Sequence, residues 1–64
     1  MITTRKYGFS TSTFLTYDDG VHIGHIRKQP ALLLGTWEWV FVDLNQNRSP
    51  TFPTKQKVIN FLSK

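Results

Sequence analysis

The chain contains no cysteine and only four acidic residues among its 64 residues. The lack of cysteine excludes disulfides, thiolate metal sites and cysteine nucleophiles, and it fits an intracellular protein. No apolar run is longer than four residues, as in residues 31–34, whereas a membrane helix needs about 20 residues. No apolar segment follows the basic residues near the N-terminus. We therefore expect no signal peptide, no membrane segment and a cytoplasmic protein.

A chain of this length (1–64) is expected to form one small domain whose core relies on a few large side chains. It has two Trp, two Tyr and five Phe residues, and each aromatic side chain buries about 150–250 Å². Eight Lys or Arg residues give a net charge of +4. This balance favours anionic partners such as nucleic acid, and simple solubility explains it equally well.

Two β-prone runs, Phe14–Tyr17 and Val21–Ile26, are separated by an Asp-Asp-Gly turn. This pattern predicts a β-hairpin in which Gly20 takes a positive φ. Residues 3–9 are expected to form a frayed end that leads into a first strand. The second strand of the hairpin is expected to end over residues 27–30, because proline cannot donate to a β-ladder.

Alternation of large and small side chains over residues 36–43 predicts a further strand. Trp37, Trp39 and Phe41 share one face of it, which we expect to be the core face. These three rings offer an alternative role as a stacking surface for single-stranded nucleic acid, but the shortage of other large apolar residues favours the core.

A short C-terminal helix is predicted to begin after Thr54, whose hydroxyl can cap it. Val58, Phe61 and Leu62 form an apolar stripe at helical spacing. A helix of two to three turns is unstable alone, so this stripe must pack on a sheet. The predicted fold is α+β, with a three- to four-stranded antiparallel sheet and one C-terminal helix packed on one face. The other face is left for solvent or a partner.

The start of this helix is basic, because it carries Lys55 and Lys57. Lysines oppose the helix dipole there, so they destabilise the helix slightly unless an anion binds. Free backbone N–H groups at the same place make an anion site plausible, with Arg48 close by in sequence. The alternative is that both lysines are ordinary solvated residues.

Other polar residues give no sign of catalysis. His22 and His25 are three residues apart on a strand, so they should point to opposite faces and not share a metal ion. Asp18 and Asp19 are explained by turn formation. We therefore expect no enzyme activity, no metal and no cofactor.

Three consecutive leucines, Leu32, Leu33 and Leu34, cannot all point inward from an extended segment. They either fold over the core or form an exposed patch for a protein partner or a second copy of the chain.

Residues 35–62 resemble the AP2-like or arm-type DNA-binding domains of phage-type tyrosine integrases. The resemblance lies in a Gly-x-Trp strand, a polar turn and a Phe-x-Thr-Lys junction before a short helix. The matching residues are Gly35, Trp37, Phe52, Thr54 and Lys55. The resemblance implies a three-stranded sheet laid in the DNA major groove, and a stand-alone binder of phage or mobile-element origin.

Two hypotheses follow. The first is a small basic β-sheet protein that binds nucleic acid, DNA rather than RNA, through cations that gather between the hairpin end and the helix start. The second is a non-enzymatic interaction module, either an adaptor or inhibitor of a larger protein or a homodimer. The candidate nucleic-acid-binding residues are Arg27, Lys28, Arg48, Thr54, Lys55 and Lys57.

Overall fold

The computed structural model describes residues 1–33 and 35–63. It contains a four-stranded antiparallel sheet in the order β1-β2-β3-β4 and one C-terminal helix. The predicted α+β fold is therefore confirmed. The elements are β1 (Ile2–Lys6), β2 (Thr13–Asp18), β3 (Val21–Pro30), β4 (Trp37–Asp43) and α1 (Lys55–Leu62).

The hairpin of β2 and β3 forms at the Asp-Gly pair, as predicted. Asp18 pairs with Val21, so the turn contains only Asp19 and Gly20. Their φ angles are +50° and +84°, and a two-residue hairpin loop with positive φ at both positions matches the twist of the strands. The second strand of the hairpin, β3, continues through Pro30, and this last residue of β3 pairs with Trp37.

The N-terminal segment is more ordered than the sequence indicated. Residues 2–6 form β1, which pairs along its full length with β2. The expected frayed end is therefore wrong for these residues, because the ladder to β2 supplies backbone partners that no local signal shows. Among the described elements, β1 is one edge of the sheet.

An irregular segment lines the opposite edge, next to β4. Phe52 exchanges both backbone hydrogen bonds with Trp39, at 2.7 and 2.8 Å. Arg48 forms an isolated antiparallel bridge with Val42. This segment, residues 47–52, supplies partners for the outer backbone of β4 before the helix begins.

A hydrophobic cluster lies between the helix and one side of the sheet, which we call the helix face, and Val40 and Val42 are buried on the other side. Ile26, Phe41 and Val58 are buried at the centre of this cluster. The side chains packed around them are Ile23, Trp39, Phe52, Ile59 and Leu62. The prediction of a core face is confirmed for two of the three rings of β4. It is wrong for Trp37, which is 55 % exposed because it lies at the end of the sheet.

The helix is held by its cap and its packing. Thr54 accepts a hydrogen bond from the backbone N–H of Lys57 at 3.2 Å, which confirms the predicted N-cap. Of the predicted stripe, Val58 is fully buried, whereas Phe61 is partly exposed and contacts Phe52 at 5.3 Å between ring centroids. In the part of the chain that the structure describes, no helix has the length and apolar character to cross a membrane.

Candidate functional site

The side of the sheet opposite the helix, which we call the open face, has no helix or second sheet over it among the described elements. Residues directly opposite each other on antiparallel strands point to the same side. Five such residues form a row across the sheet, and an arginine stands at each end of it. The row is Arg5, Leu15, His25, Val42 and Arg48.

The third arginine lies in the next row of the open face. Arg27 is opposite Thr13 on one side and Val40 on the other. Residues 27 and 25 are two apart on one strand, so their side chains share a face. The chain has three arginines, and the strand register directs all three to the open face, where each is exposed.

A β-bulge in β3 brings both histidines to this same face. Gly24 pairs with Thr16 and His22 pairs with Tyr17, so Ile23 is the additional residue. The expectation that His22 and His25 point to opposite faces is therefore wrong, because the bulge shifts the alternation by one position. The ring of Tyr17 lies 5.4 Å from that of His22.

Gly24 makes this bulge possible. Its φ is +154°, and a Cβ atom at this position would lie 2.3 Å from the backbone oxygen of Val42. Only glycine fits so close an approach of β3 to β4. By permitting the bulge, Gly24 therefore determines that His22 and His25, on either side of it, point to the same face.

His25 is partly covered within the row. Burial lowers the pKa of its imidazole, and the positive charge of Arg27 and the neighbouring His22 lower the pKa further. The neutral ring is thus favoured, and it offers one nitrogen as donor and the other as acceptor. Within residues 1–33 and 35–63, no group of three or more His, Cys, Asp or Glu side chains is placed to hold a metal ion.

The acidic side chains interact with groups other than the arginines. Glu38 accepts a hydrogen bond from Gln29 at 2.9 Å on the open face. Asp43 accepts backbone hydrogen bonds from Asn45 and Asn47 in the turn after β4. Asp18 and Asp19 contact the N-terminal ammonium group. The two contacts to the N-terminal ammonium group are the only ion pairs among the described residues, so no arginine forms an ion pair there.

The lysines of the predicted site lie on the other side of the sheet. Lys28 Nζ is 5.1 Å from the ring centroid of Trp37 and 6.0 Å from that of Trp39. Lys55 Nζ is 3.7 Å above the ring of Phe14. The rings of Phe14 and Trp39 are themselves 6.0 Å apart. The hairpin end and the helix start therefore do meet, but around aromatic rings on the helix side.

The predicted site is consequently divided between two sides of the molecule. Arg27 and Arg48 belong to the open face, whereas Lys28 and Lys55 belong to the helix face. Lys57 is exposed on the helix, and the hydroxyl of Thr54 is engaged as its cap. The single gathering of cations expected from the sequence does not form.

Sequence reasoning missed Arg5 and the rings beside it on the open face. The signal was present only as alternation, because Arg5 and Lys6 are adjacent and must point to opposite faces of a strand. Without β1 and its register, the alternation could not be assigned to a face. The other residues missed are Tyr7, Tyr17 and the histidines in their shared orientation.

The leucine run lies in the connection between β3 and β4. Leu32 and Leu33 are 107 % and 72 % exposed, and Leu34 lies outside the described residues. The two described leucines therefore do not fold over the core. Phe9, 105 % exposed in the connection between β1 and β2, lies at the same end of the sheet.

Comparison with protein-family models, curated proteins and solved structures finds no match to this chain. We therefore infer its function from the residues and their geometry alone.

Proposed function

We propose that the protein binds nucleic acid through the open face of its sheet. The observation that carries this proposal is the common orientation of Arg5, Arg27 and Arg48 on a face without a covering element. Within residues 1–33 and 35–63, Glu38 is the only acidic side chain that the register directs to the same face, and it accepts a hydrogen bond from Gln29.

Arginine suits this role for a geometric reason. Its planar guanidinium donates two parallel hydrogen bonds to one phosphate and retains its charge at every relevant pH. With strands about 4.8 Å apart, the Cα atoms of Arg5 and Arg48 are separated by about 19 Å across the row. This span covers several phosphates, whose spacing is about 3.4 Å per strand along a duplex.

The lysines of the helix side have a smaller role in this proposal. Lys28 and Lys55 are held over aromatic rings and point away from the open face. Their charges raise the positive potential of the whole molecule and so accelerate encounter with a polyanion. They do not contact phosphates once the open face is occupied.

Two pairs of sequence neighbours give matched variants for a test. Arg5→Gln and Lys6→Gln remove equal charge from opposite faces, as do Arg27→Gln and Lys28→Gln. We expect each arginine variant to weaken binding of a labelled oligonucleotide about five- to tenfold at low salt. Each should also lower the slope of log K against log salt by about 0.7–0.9, which is the value for one lost phosphate contact.

The lysine variants should weaken binding less than twofold and leave that slope almost unchanged. Fluorescence anisotropy over a salt series measures both quantities. Equal losses for the arginine and lysine variants would contradict a specific face. The lack of any salt-dependent complex with single-stranded or duplex DNA or RNA would remove the function itself.

A second candidate function is docking to another protein or to a second copy of the chain. It is favoured by the three exposed apolar side chains at one end of the sheet, Phe9, Leu32 and Leu33. Light scattering over a concentration series, repeated with Leu32→Ser, tests the homodimer. A mass that stays monomeric in both proteins contradicts it, and a dimer lost in the variant supports it.

A further inference from the structure

The open face is not flat, because a shallow concavity of about 310 Å³ lies on it. The side chains that line it are Tyr7, Thr13, Leu15 and His25. Leu15 and His25 are directly opposite each other on neighbouring strands and form its floor. Tyr7 follows β1 and is 58 % exposed. Small-molecule sites begin near about 300 Å³, so the concavity has room for one small planar ring system.

Two arginines border this concavity. Arg5 is opposite Leu15, and Arg27 is opposite Thr13, so one lies on β1 and the other on β3. Both are exposed, and neither forms an ion pair among the described residues. An apolar floor between two guanidinium groups complements a ligand whose planar apolar part is joined to anionic groups on both sides.

The lining also supplies the polar groups that such a ligand requires. The hydroxyls of Tyr7 and Thr13 each donate and accept, and the imidazole of His25 donates from a ring N–H in either protonation state. The ring of Tyr7 offers a π-face at the rim. Nucleobases are recognised in this way, by stacking on an aromatic side chain and by hydrogen bonds at their edges.

A second pair of rings continues the surface along the strands. Tyr17 is two residues beyond Leu15, which places it about 6.7 Å farther along β2 on the same face. Its partner His22 is there because of the bulge at Ile23. Two successive aromatic positions beside cations are typical of surfaces that bind single strands, because every base has a face that can stack.

We propose that the concavity holds an unpaired nucleobase, with Arg5 and Arg27 on the phosphates at either side, so that the open face prefers single-stranded nucleic acid to a uniform duplex. This inference rests on the proposed function and deepens it. In a duplex the bases are stacked and paired, so none can reach a floor formed by Leu15 and His25. It differs from what the arm-type resemblance implies, which is a sheet in the duplex major groove.

The test compares a labelled 12-nucleotide single strand of mixed sequence with the 12-base-pair duplex that contains it. Fluorescence anisotropy at two salt concentrations gives the affinity for each. We expect the single strand to bind at least about tenfold more tightly. Tyr7→Ala should weaken single-strand binding at least about fivefold, which is the lower range for one lost stacking contact, and leave duplex binding unchanged.

Two further variants control this result. Tyr7→Phe retains the ring and should keep most of the single-strand affinity. Phe9→Ala removes a ring from the same connection but outside the concavity, and should change neither affinity; Phe9 is 105 % exposed and Tyr7 58 %. Circular dichroism checks that each variant is folded. Both rings are exposed, so we expect these substitutions to leave the fold intact.

The outcomes separate this inference from the function on which it rests. Duplex binding as tight as single-strand binding, with arginine dependence retained and no effect of Tyr7→Ala, overturns the inference and leaves the proposed function standing. Equal losses in Tyr7→Ala and Phe9→Ala also overturn it, because the concavity would then not be the site. No binding to either oligonucleotide removes both.

Discussion

On the open face of the sheet the cations are arginines, whereas the lysines at the hairpin end and the helix start lie on the helix face. The helix face also holds the buried core of Ile26, Phe41 and Val58. Its lysines are held over the rings of Trp37, Trp39 and Phe14, which is a stabilising arrangement of modest size.

The open face has a different character. Its arginines form no ion pair among the described residues, and its aromatic side chains stay partly exposed. The cluster that packs against the helix therefore lies on one side of the sheet, whereas the arginines lie on the other, where Val40 and Val42 are the buried residues. Substitutions on the two sides should accordingly affect different measurements.

Among substitutions that disturb the two faces of the sheet, we expect the largest effect from Gly24→Ala. A Cβ atom would lie 2.3 Å from the oxygen of Val42 and 2.8 Å from Cζ of Phe41, at a φ of +154°. Backbone strain and overpacking together should lower the free energy of unfolding by about 3 kcal/mol or more. Urea denaturation measures this loss.

Gly35→Ala is the control for that substitution. Gly35 also has a positive φ, of +85°, but no atom of the described residues beyond its own chain neighbours lies within 4 Å of the added carbon. Its cost should be about 1 kcal/mol, from strain alone. A mild effect of Gly24→Ala, no larger than that of Gly35→Ala, would show that the bulge does not depend on this contact.

Val58→Ala should damage the helix face without altering the open face. The side chain is fully buried, and its loss should lower the free energy of unfolding by about 2 kcal/mol through lost burial and the cavity left behind. The affinity of the remaining folded protein for an oligonucleotide should stay within twofold. Thermal and urea unfolding, with anisotropy at low temperature, measure both.

Val21→Ala is the matched change at a position that is 65 % exposed. It should alter the free energy of unfolding by less than about 0.5 kcal/mol. A loss of affinity in Val58→Ala beyond its loss of folded protein would show that the two faces are coupled.

Thr54→Ala sharpens the distinction between a structural and a binding role for one predicted site residue. Its hydroxyl accepts from the N–H of Lys57 at 3.2 Å. Loss of this cap should lower the free energy of unfolding by about 1 kcal/mol. Thr54→Ser should retain nearly all of the stability, and neither variant should change oligonucleotide affinity. A large affinity loss in Thr54→Ala alone would return the helix start to the site.

The smallest expected effect is a pH dependence that belongs to the open face. The pKa of His25 is lowered from 6.5, first by burial and then by Arg27 and His22. In the free protein this residue supports stability above pH 6.5, and that support is lost as the pH falls through the lowered value. Bound phosphates favour the charged imidazole instead, so affinity should increase about two- to fivefold between pH 7.5 and 5.5.

His25→Gln should flatten this increase, whereas His22→Gln should retain it. Anisotropy at fixed ionic strength measures the effect. The other charged or titratable side chains on this face, all present in both variants, are Arg5, Arg27, Arg48, Glu38, Tyr7 and Tyr17. An unchanged pH profile in His25→Gln would place the protonation elsewhere.

The fold was predictable where its signals are local. The Asp19-Gly20 turn requires positive φ at adjacent residues, and Thr54 followed by an apolar stripe specifies a capped helix. The pairing of β1 was not predicted, because residues 7–12 between β1 and β2 contain no Asn-Gly or Asp-Gly pair, although Ser10 N–H donates to the Tyr7 carbonyl and closes a turn there. The order of β1 depends on a ladder between residues that are far apart in the chain.

The site was less predictable than the fold because it depends on register. The bulge at Ile23 arises where Gly24 meets the backbone of Val42, a contact across 18 positions that no window of sequence contains. Arg48 reaches the open face only through its bridge to Val42 in an otherwise irregular segment. The count of basic residues identified Arg27 and Arg48 as candidates but could not assign them to a face of the sheet.

The outer rim of β1 has a consequence for the protein in concentrated solution. This strand leaves backbone donors and acceptors without partners among the described residues, and such a rim can recruit strands from other molecules into fibrils. Arg5 and Lys6 sit at its end with their charges on opposite sides, so two copies that approached rim to rim would repel each other. The same arginine that we assign to phosphate contacts thus also acts as a gatekeeper against aggregation.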